Sequence, residues 1–456
     1  MPLIKSISGF RGTLGGRAGE NLTAQDIVES VAAFGAMLRQ RSDSKKVVIG
    51  RDGRPSGPVV SQLATATLQM LGLDVIDLGY ATTPTVEMAV PRLEAAGGII
   101  LSASHNPVEY NALKLLGSNG EFISAADGQE MLALLESGAI EYASVEQLGT
   151  YSESADELVH HVQAILEHPL VEVDAVKAAG FKVVLDAVNS VGTLAIPMLC
   201  SALGVECKTI NGQLNGQFAH NPEPLPAHLT ELMAKVKAES ADLGIAVDPD
   251  VDRLALVGPG GQWIGEEYTL VTVADYVLRH ELGPVVSNLS SSRALADLAE
   301  RFGQAYHAAK VGEVNVVITM KEVEATIGGE GNGGIIDPRL HYGRDSLIGL
   351  ALVLSHLATS GKTINELRAG YPHYEMIKDK IQLTPELDVD AILAALPAQF
   401  PEAKANTADG VKLDFEQGWV HLRKSNTEPI VRVYAEGASA VAAQQLVDPV
   451  KRFVLS

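Results

Sequence analysis

The sequence predicts an α/β protein, built from repeated strand–loop–helix units and closed by a smaller α+β region. Three observations carry that reading. Three short β-branched runs, Lys46 to Asp52, Lys182 to Ser190 and Pro284 to Ser292, each lead through a loop of small residues into a helical pattern. Apolar periodicity of about 3.6 residues recurs beside them in Ala24 to Gln40, Ser56 to Leu71, Leu225 to Ala238 and Tyr268 to His280. After roughly residue 370 the pattern changes to alternating strands and a final helix, with Gly418 to Ala435 reading as a hairpin around a polar turn.

The chain has 456 residues, too many for one hydrophobic core, and about 150 residues per domain suggests three or four. Its composition, 46% hydrophobic and 20% charged with 43 glycines, suits a globular protein rich in tight loops. A formal net charge of −21 argues against nucleic acid or an anionic membrane as partner, because both need a basic footprint. An anionic small substrate would have to be held by local Arg and Lys residues, which makes basic residues at glycine-rich turns informative. Cys200 and Cys207 offer neither a disulfide framework nor a zinc spacing and are expected to be reduced thiols. Met1 to Gly12 lacks a long apolar stretch and no run reaches membrane-spanning length, so a cytoplasmic location is expected. Composition carries no reading of oligomeric state.

Four motifs bear chemistry. The first, Ser102 to Pro107 (SASHNP), follows the apolar run Gly98 to Leu101, where a buried strand opens into a loop. Ser104 there suits a nucleophile beside the polar His105 and Asn106, provided a metal or base activates it. The same residues also suit a simple turn. The second, Ala246 to Leu256 (AVDPDVDRLAL), sets Asp248, Asp250 and Asp252 at alternate positions after an apolar run. Three carboxylates so close repel one another unless a cation binds, and an all-oxygen set favours Mg²⁺. A calcium loop is excluded, since counting from Asp248 the sixth position is Arg253 and the twelfth Pro259.

Third, Gly328 to Gly334 (GGEGNGG) formally matches a dinucleotide fingerprint, yet Ile335 to Tyr342 contains Pro338 and no helical period, so the fingerprint is rejected. The whole stretch Gly328 to Asp345 reads as a long surface loop. It presents Glu330 and Asn332, which suit sugar hydroxyls, or it acts as a glycine hinge. Fourth, Arg423 to Pro429 (RKSNTEP) clusters two cations, two hydroxyls and an amide at the hairpin turn, a composition suited to a phosphate nest or to a solvated basic turn. Arg11 in GFRG, the GRDGR run Gly50 to Arg54, Lys114, and Lys310 in KVG are weak signals alone and count as companions of these motifs.

With these four motifs in this order, the chain resembles the α-D-phosphohexomutases, the family of phosphoglucomutase, phosphomannomutase and phosphoglucosamine mutase, from end to end. The resemblance implies four domains around a central cleft, three mixed α/β domains and a smaller C-terminal α+β domain. The divisions expected are a phosphoserine domain over 1–150, a metal-binding domain over 151–257, a sugar-binding domain over 258–370 and a phosphate-binding domain over 371–456. It implies that Ser104 carries the phosphate, with Asp248, Asp250, Asp252 and an oxygen on Ser104 around Mg²⁺. Glu330 and Asn332 would take sugar hydroxyls, while Arg423, Ser425, Asn426 and Thr427 would hold the non-reacting phosphate. Arg11, Lys114 and His105 are implied in catalysis, and Lys310 and Arg253 in substrate binding. A hexose bisphosphate is the implied activator.

This sequence departs from the family pattern at Ser102, where threonine is common, and in GGEGNGG, which lacks the serine that follows the glutamate in many glucose- or mannose-acting members. The GEGNGG form is similar to members assigned to phosphoglucosamine or mixed phosphohexose substrates. Two rivals are a metal-dependent sugar-phosphate phosphatase, which the separate RKSNTEP loop argues against, and a non-catalytic sugar-phosphate sensor.

Overall fold

The computed structural model describes residues 3–6, 9–383, 388–424 and 430–455. The chain divides into two compact units, one of Met1–Thr269 with Gly333–Asn365 and the other of Leu270–Asn332 with Glu366–Ser456.

The first unit holds two sheets. One has seven strands in the order Ile4–Ser6, Gly9–Thr13, Tyr110–Gly117, Gly97–Leu101, Lys46–Arg51, Asp74–Tyr80 and Tyr151–Glu153. Its parallel centre is buried, and Val47, Ile49, Ile99 and Leu101 are wholly enclosed under helices Ala24–Arg41 and Gly57–Met70. A strand buried on both faces needs such a continuous apolar run. The register Arg51↔Leu101 makes these parallel neighbours end side by side, so the loops that follow them emerge together at the sheet's carboxyl edge.

The other sheet has the order Gln262–Trp263, Leu254–Gly258, Leu243–Val247, Lys182–Asp186 and Glu206–Ile210. Here Leu243–Val247 runs parallel to Lys182–Asp186 and antiparallel to Leu254–Gly258, closing with Val247 opposite Leu254. Residues 248–253 are therefore a short hairpin connection. That converts the period-two spacing of the three aspartates into a curled loop.

In the second unit, Val285–Asn288 lies between the parallel strands Tyr306–Ala309 and Ile327–Glu330. A five-stranded antiparallel sheet follows, in the order Glu375–Gln382, Ile430–Gly437, Gly418–Lys424, Val411–Phe415 and Lys404–Asn406. Helix Ala440–Val454 covers it with Ala443, Leu446, Val447 and Val450. The expected hairpin is present, with Leu422 opposite Val433. Each of the three sequence-read strand–loop–helix units is present, with helices Gly57–Met70, Gly192–Ala202 and Ala294–Arg301 following their strands.

Two expectations need correction. Gly328 to Asp345 is not a long surface loop: it contains the strands Ile327–Glu330 and Gly334–Ile336, and most of it is buried. Its glycines are packing residues. A side chain at Gly328 would collide with Met320 Sδ, and one at Gly333, which has φ +86°, would collide with the Leu254 carbonyl. The helix read over Leu225 to Ala238 begins only at Thr230. Pro226 disfavours the helical conformation of Leu225, and turns occupy 226–228.

Candidate active site

Ser104 follows the strand Gly97–Leu101 in the left-handed region (φ 49°), a strained conformation for serine, and is buried. The surrounding loop over-determines it. Arg54, fully buried, donates to the carbonyls of Ser104 (2.5 Å), Asn106 (2.7 Å), Pro107 (2.6 Å) and Tyr110 (3.1 Å). Its Nε is paired with Asp52 Oδ2 at 3.0 Å, and Ser102 Oγ donates to the same oxygen at 2.7 Å. Ser102 Oγ in turn accepts the Ser104 N–H at 2.9 Å. The in-register strand ends bring Asp52 and Ser102 together, and one guanidinium then satisfies four loop carbonyls.

Ser104 Oγ donates to Asp248 Oδ2 at 2.6 Å. The serine loop and the aspartate loop thus meet, although 144 residues separate these partners. Asp248, Asp250 and Asp252 are completely buried, and one carboxylate oxygen from each lies within 4.8 Å of the others. Asp248 Oδ1 accepts the N–H groups of Asp252 and Arg253, both at 3.2 Å. That bond curls the loop and leaves Val251 at φ 64°, a strained value for a β-branched residue. Asp250 Oδ2 accepts from Thr83 Oγ1 and Lys114 Nζ, each at 2.6 Å. Asp252 Oδ2 accepts from Lys114 Nζ at 3.2 Å and Arg344 Nη2 at 2.7 Å.

The electrostatics are those of crowded, buried charge. Burial, followed by the charges of Asp252 and Asp250, pushes the Asp248 carboxyl well above the usual range. Burial also opposes ionisation of Asp252, but Arg344 and Lys114 outweigh it and hold that carboxyl low. At Lys114 burial disfavours the ammonium, yet Asp250 and Asp252 overcome it and raise the pKa, so the group is a fixed cation. Asp250 Oδ1 and Asp252 Oδ1 are buried and accept no hydrogen bond. Two orphaned anionic oxygens beside a third carboxylate and a serine hydroxyl are a fit donor set for a hard divalent cation.

The other basic residues stand around these loops. Arg11 Nη1 donates to Asn106 Oδ1 at 3.0 Å, and burial lowers its pKa. Arg253 Nε lies 4.0 Å from Asp248 and 3.9 Å from Asp252. The charge of Arg253, then burial, depress the His105 pKa strongly, so the ring is neutral; its Nδ1 is buried without a hydrogen bond.

In the second unit, buried Glu330 accepts at Oε1 from Asn288 Nδ2 (2.8 Å) and Gly312 N (3.1 Å), while Asn332 Nδ2 donates to Oε2 at 3.4 Å. Lys310 is exposed. Arg423 Nε sits 2.8 Å from Asp409 Oδ2, which also accepts the Val311 N–H at 2.9 Å. A cavity of about 80 Å³ is lined by Ser290, Val311, His421, Arg423, Arg432 and Tyr434. Ser425, Asn426 and Thr427 lie outside the described residues.

Sequence reading missed Thr83, Arg344 and Asn288, and gave Arg54 no particular task. Arg54 had a signal in GRDGR. Thr83 and Asn288 had none, because an ordinary polar residue acquires its role only from the strand it meets.

The sequence matches the phosphoglucomutase/phosphomannomutase alpha/beta/alpha domain I over residues 5–139, domain II over 159–261, domain III over 266–374 and the C-terminal domain over 386–452. A phosphoglucomutase/phosphomannomutase of Thermococcus kodakarensis is 36% identical over 445 residues, covering 96% of both chains. A phosphoglucosamine/phosphogalactosamine mutase of Sulfurisphaera tokodaii is 32% identical over 446 residues, covering 96% of this chain and 97% of the relative. The crystal structure of a phosphoglucomutase/phosphomannomutase family protein from Burkholderia thailandensis superimposes with a TM-score of 0.85 at 27% identity, covering 99% of this chain and 96% of the other. Four such domains in this order, three with mixed α/β sheets and a smaller one with an antiparallel sheet, define the class of phosphohexomutases. The chain belongs to the phosphoglucomutase/phosphomannomutase family.

Proposed function

We propose that the chain interconverts a hexose 1-phosphate and the 6-phosphate through phospho-Ser104 and a hexose bisphosphate, with phosphoglucosamine or a mixed phosphohexose set as substrate. The observation that carries this reading is the hydrogen bond from Ser104 Oγ to Asp248 inside a triad of buried carboxylates. Asp248, Asp250 and Asp252 would hold Mg²⁺, which when bound offsets charge on the phosphoryl group. The chain's own contribution is position and fixed charge. Arg54 presents the serine loop, and Lys114 and Arg344 stand as cations against the aspartates. The P–O bond to Ser104 Oγ breaks as a new one forms to the sugar hydroxyl oxygen, whose proton is delivered in net to the freed Ser104 Oγ. The bisphosphate then turns end for end, its other phosphoryl returns to Ser104, and the opposite monophosphate is released.

The persistent charge on Lys114 favours phosphoryl stabilisation over proton abstraction for that residue. Arg11, hydrogen-bonded to Asn106 of the serine loop, and neutral His105 are assigned to the same loop's chemistry. Glu330 and Asn332 are assigned to sugar hydroxyls, and Arg423, Ser425, Asn426 and Thr427 to the non-reacting phosphate, with Lys310 and Arg253 as further substrate contacts. Among the described residues no helix is long and apolar enough to cross a membrane. We assign the chain to a reducing, cytoplasmic setting, which its two free cysteines support.

A panel of glucose 1-phosphate, mannose 1-phosphate and glucosamine 1-phosphate, run with Mg²⁺ and catalytic hexose bisphosphate, tests the reading. The expected product is the 6-phosphate isomer, formed most rapidly from glucosamine 1-phosphate. Release of free phosphate without any 6-phosphate would replace the mutase by a phosphatase.

A further inference from the structure

A second cluster of ligating side chains lies in the first unit beside the aspartate loop, with Ser346 N donating to the Val251 carbonyl. Helix Glu157–Leu166 contributes His161, and the segment before helix Ser346–Ser360 contributes His341 and Asp345. His161 Nε2 is 2.9 Å and His341 Nε2 3.3 Å from the same atom, Asp345 Oδ2. The imidazole rings stand at 90° with centroids 6.3 Å apart, and one ligand atom from each residue lies within 4.8 Å of the others. A tetrahedral ion held at about 2.0–2.1 Å from each ligand keeps neighbouring ligand atoms about 3.3 Å apart. The two distances to Asp345 are close to that, and with the ligand atoms all within 4.8 Å of one another the two imidazoles have at most about 1.5 Å to close on a shared ion.

The outer atoms of His161 and Asp345 are hydrogen-bonded in the way metal ligands require, and that of His341 faces a carboxylate without a hydrogen bond. His161 Nδ1 is 3.0 Å from Thr85 Oγ1, which directs Nε2 toward Asp345. His341 Nδ1 faces the buried carboxylate of Glu87 at 3.5 Å, within reach of the carboxylate–histidine pairing that raises the basicity of the opposite nitrogen once it closes. Asp345 Oδ1 accepts the N–H groups of Leu347 (2.8 Å) and Ile348 (3.4 Å), capping the helix and leaving Oδ2 to the two histidines. A Cβ at position 343 would displace the Glu87 carboxylate, since it would fall against Oε2.

We propose that His161 Nε2, His341 Nε2 and Asp345 Oδ2 form a second metal site, selective for a zinc-class divalent transition ion over Mg²⁺. Two imidazole nitrogens with one carboxylate oxygen suit a borderline ion, whereas the aspartate triad offers only hard oxygens. Bound metal would tie helix Glu157–Leu166 to the segment that ends in Arg344, the residue donating to Asp252 at 2.7 Å. The site is a positioning device for that segment and has no substrate role.

The test is a titration of the full chain with Co²⁺, as a spectroscopic probe for zinc, in excess Mg²⁺. One equivalent should produce a visible absorption band that Zn²⁺ then displaces. Glu87→Gln should weaken binding about 10–100-fold, as loss of an outer carboxylate does elsewhere. His161→Gln and His341→Gln should abolish the band, and Asp250→Asn should leave it intact. His341 is at the edge of the cluster, so His341→Cys serves as the folded control: it keeps a donor and should bind Co²⁺ with a new thiolate charge-transfer band. No band in the native chain, a band removed by excess Mg²⁺ or by Asp250→Asn, or a folded His341→Cys chain that binds without the thiolate signature would overturn the proposal.

Discussion

The two units carry polar groups of different kinds. In the first, three aspartates and the cations Lys114, Arg344 and Arg253 are crowded together, and several pKa values move because charge faces charge out of water. In the second, ion pairs such as Arg423 with Asp409 stand beside many neutral donors and acceptors. Glu330 is held by an amide and a backbone N–H, and His421 lies between Ser290 Oγ (2.9 Å) and the Asp409 carbonyl (2.7 Å). Burial first, together with the nearby Lys412 and Arg423, lowers the His421 pKa to about 4, so the ring is neutral at ordinary pH. Moving a phosphoryl group calls for opposed, fixed charge, whereas holding hydroxyls calls for acceptors and donors fixed in direction. Under the proposed function, Ser104 and the aspartates take the first task and Glu330 the second.

The sharpest way to break the contrast is at Ser104. Ser104→Ala should reduce isomerisation by about a thousandfold or more in a coupled 6-phosphate assay, while substrate still binds in calorimetry. Activity near the native rate would remove Ser104 from the chemistry.

Arg54→Met should come next, and its effect is on stability. Four carbonyls and the Asp52 carboxylate lose their donor, so unfolding free energy should fall by about 3–5 kcal/mol in urea denaturation. A loss under about 1 kcal/mol would mean that the strained Ser104 loop is held by other contacts.

In the second unit, Glu330→Gln keeps the shape and removes the charge. With hydrogen bonds to a charged acceptor worth about 1.5–3 kcal/mol, kcat/KM should drop roughly 10–100-fold, mainly through KM. An unchanged KM with a collapsed kcat would shift Glu330 from recognition to chemistry.

The smallest effect concerns pH. Because the folded His421 pKa lies near 4 against 6.5 for the free side chain, the unfolded chain binds more protons between those values. Stability therefore rises with pH across that window and is lost as pH falls from about 6.5 toward 4. His421→Asn should flatten this acid limb in melting curves taken between pH 4 and 7. An equally steep limb would assign the acid sensitivity to other groups.

Much of the architecture was legible because buried parallel strands must be continuous apolar runs, as in Lys46–Arg51 and Lys182–Asp186. The Gly328 to Asp345 stretch misled for a related reason. Its glycines satisfy close packing against Met320 and Leu254, and glycine gives the same local signal in a buried turn as in an exposed loop. Arg344 was equally opaque: a lone arginine reads as solvated surface until the fold shows what it touches.

The sequence by itself determined the α/β class, the order of four chemical motifs and the candidate residues Ser104, Asp248, Asp250 and Asp252, because strand periodicity and clustered like charge are local properties. Only the tertiary structure decided that Ser104 Oγ meets Asp248, that Lys114 is a fixed cation, and that His161, His341 and Asp345 share one point. Each of these depends on strand register and on burial, which bring together residues far apart in the chain and set their charge by removing water.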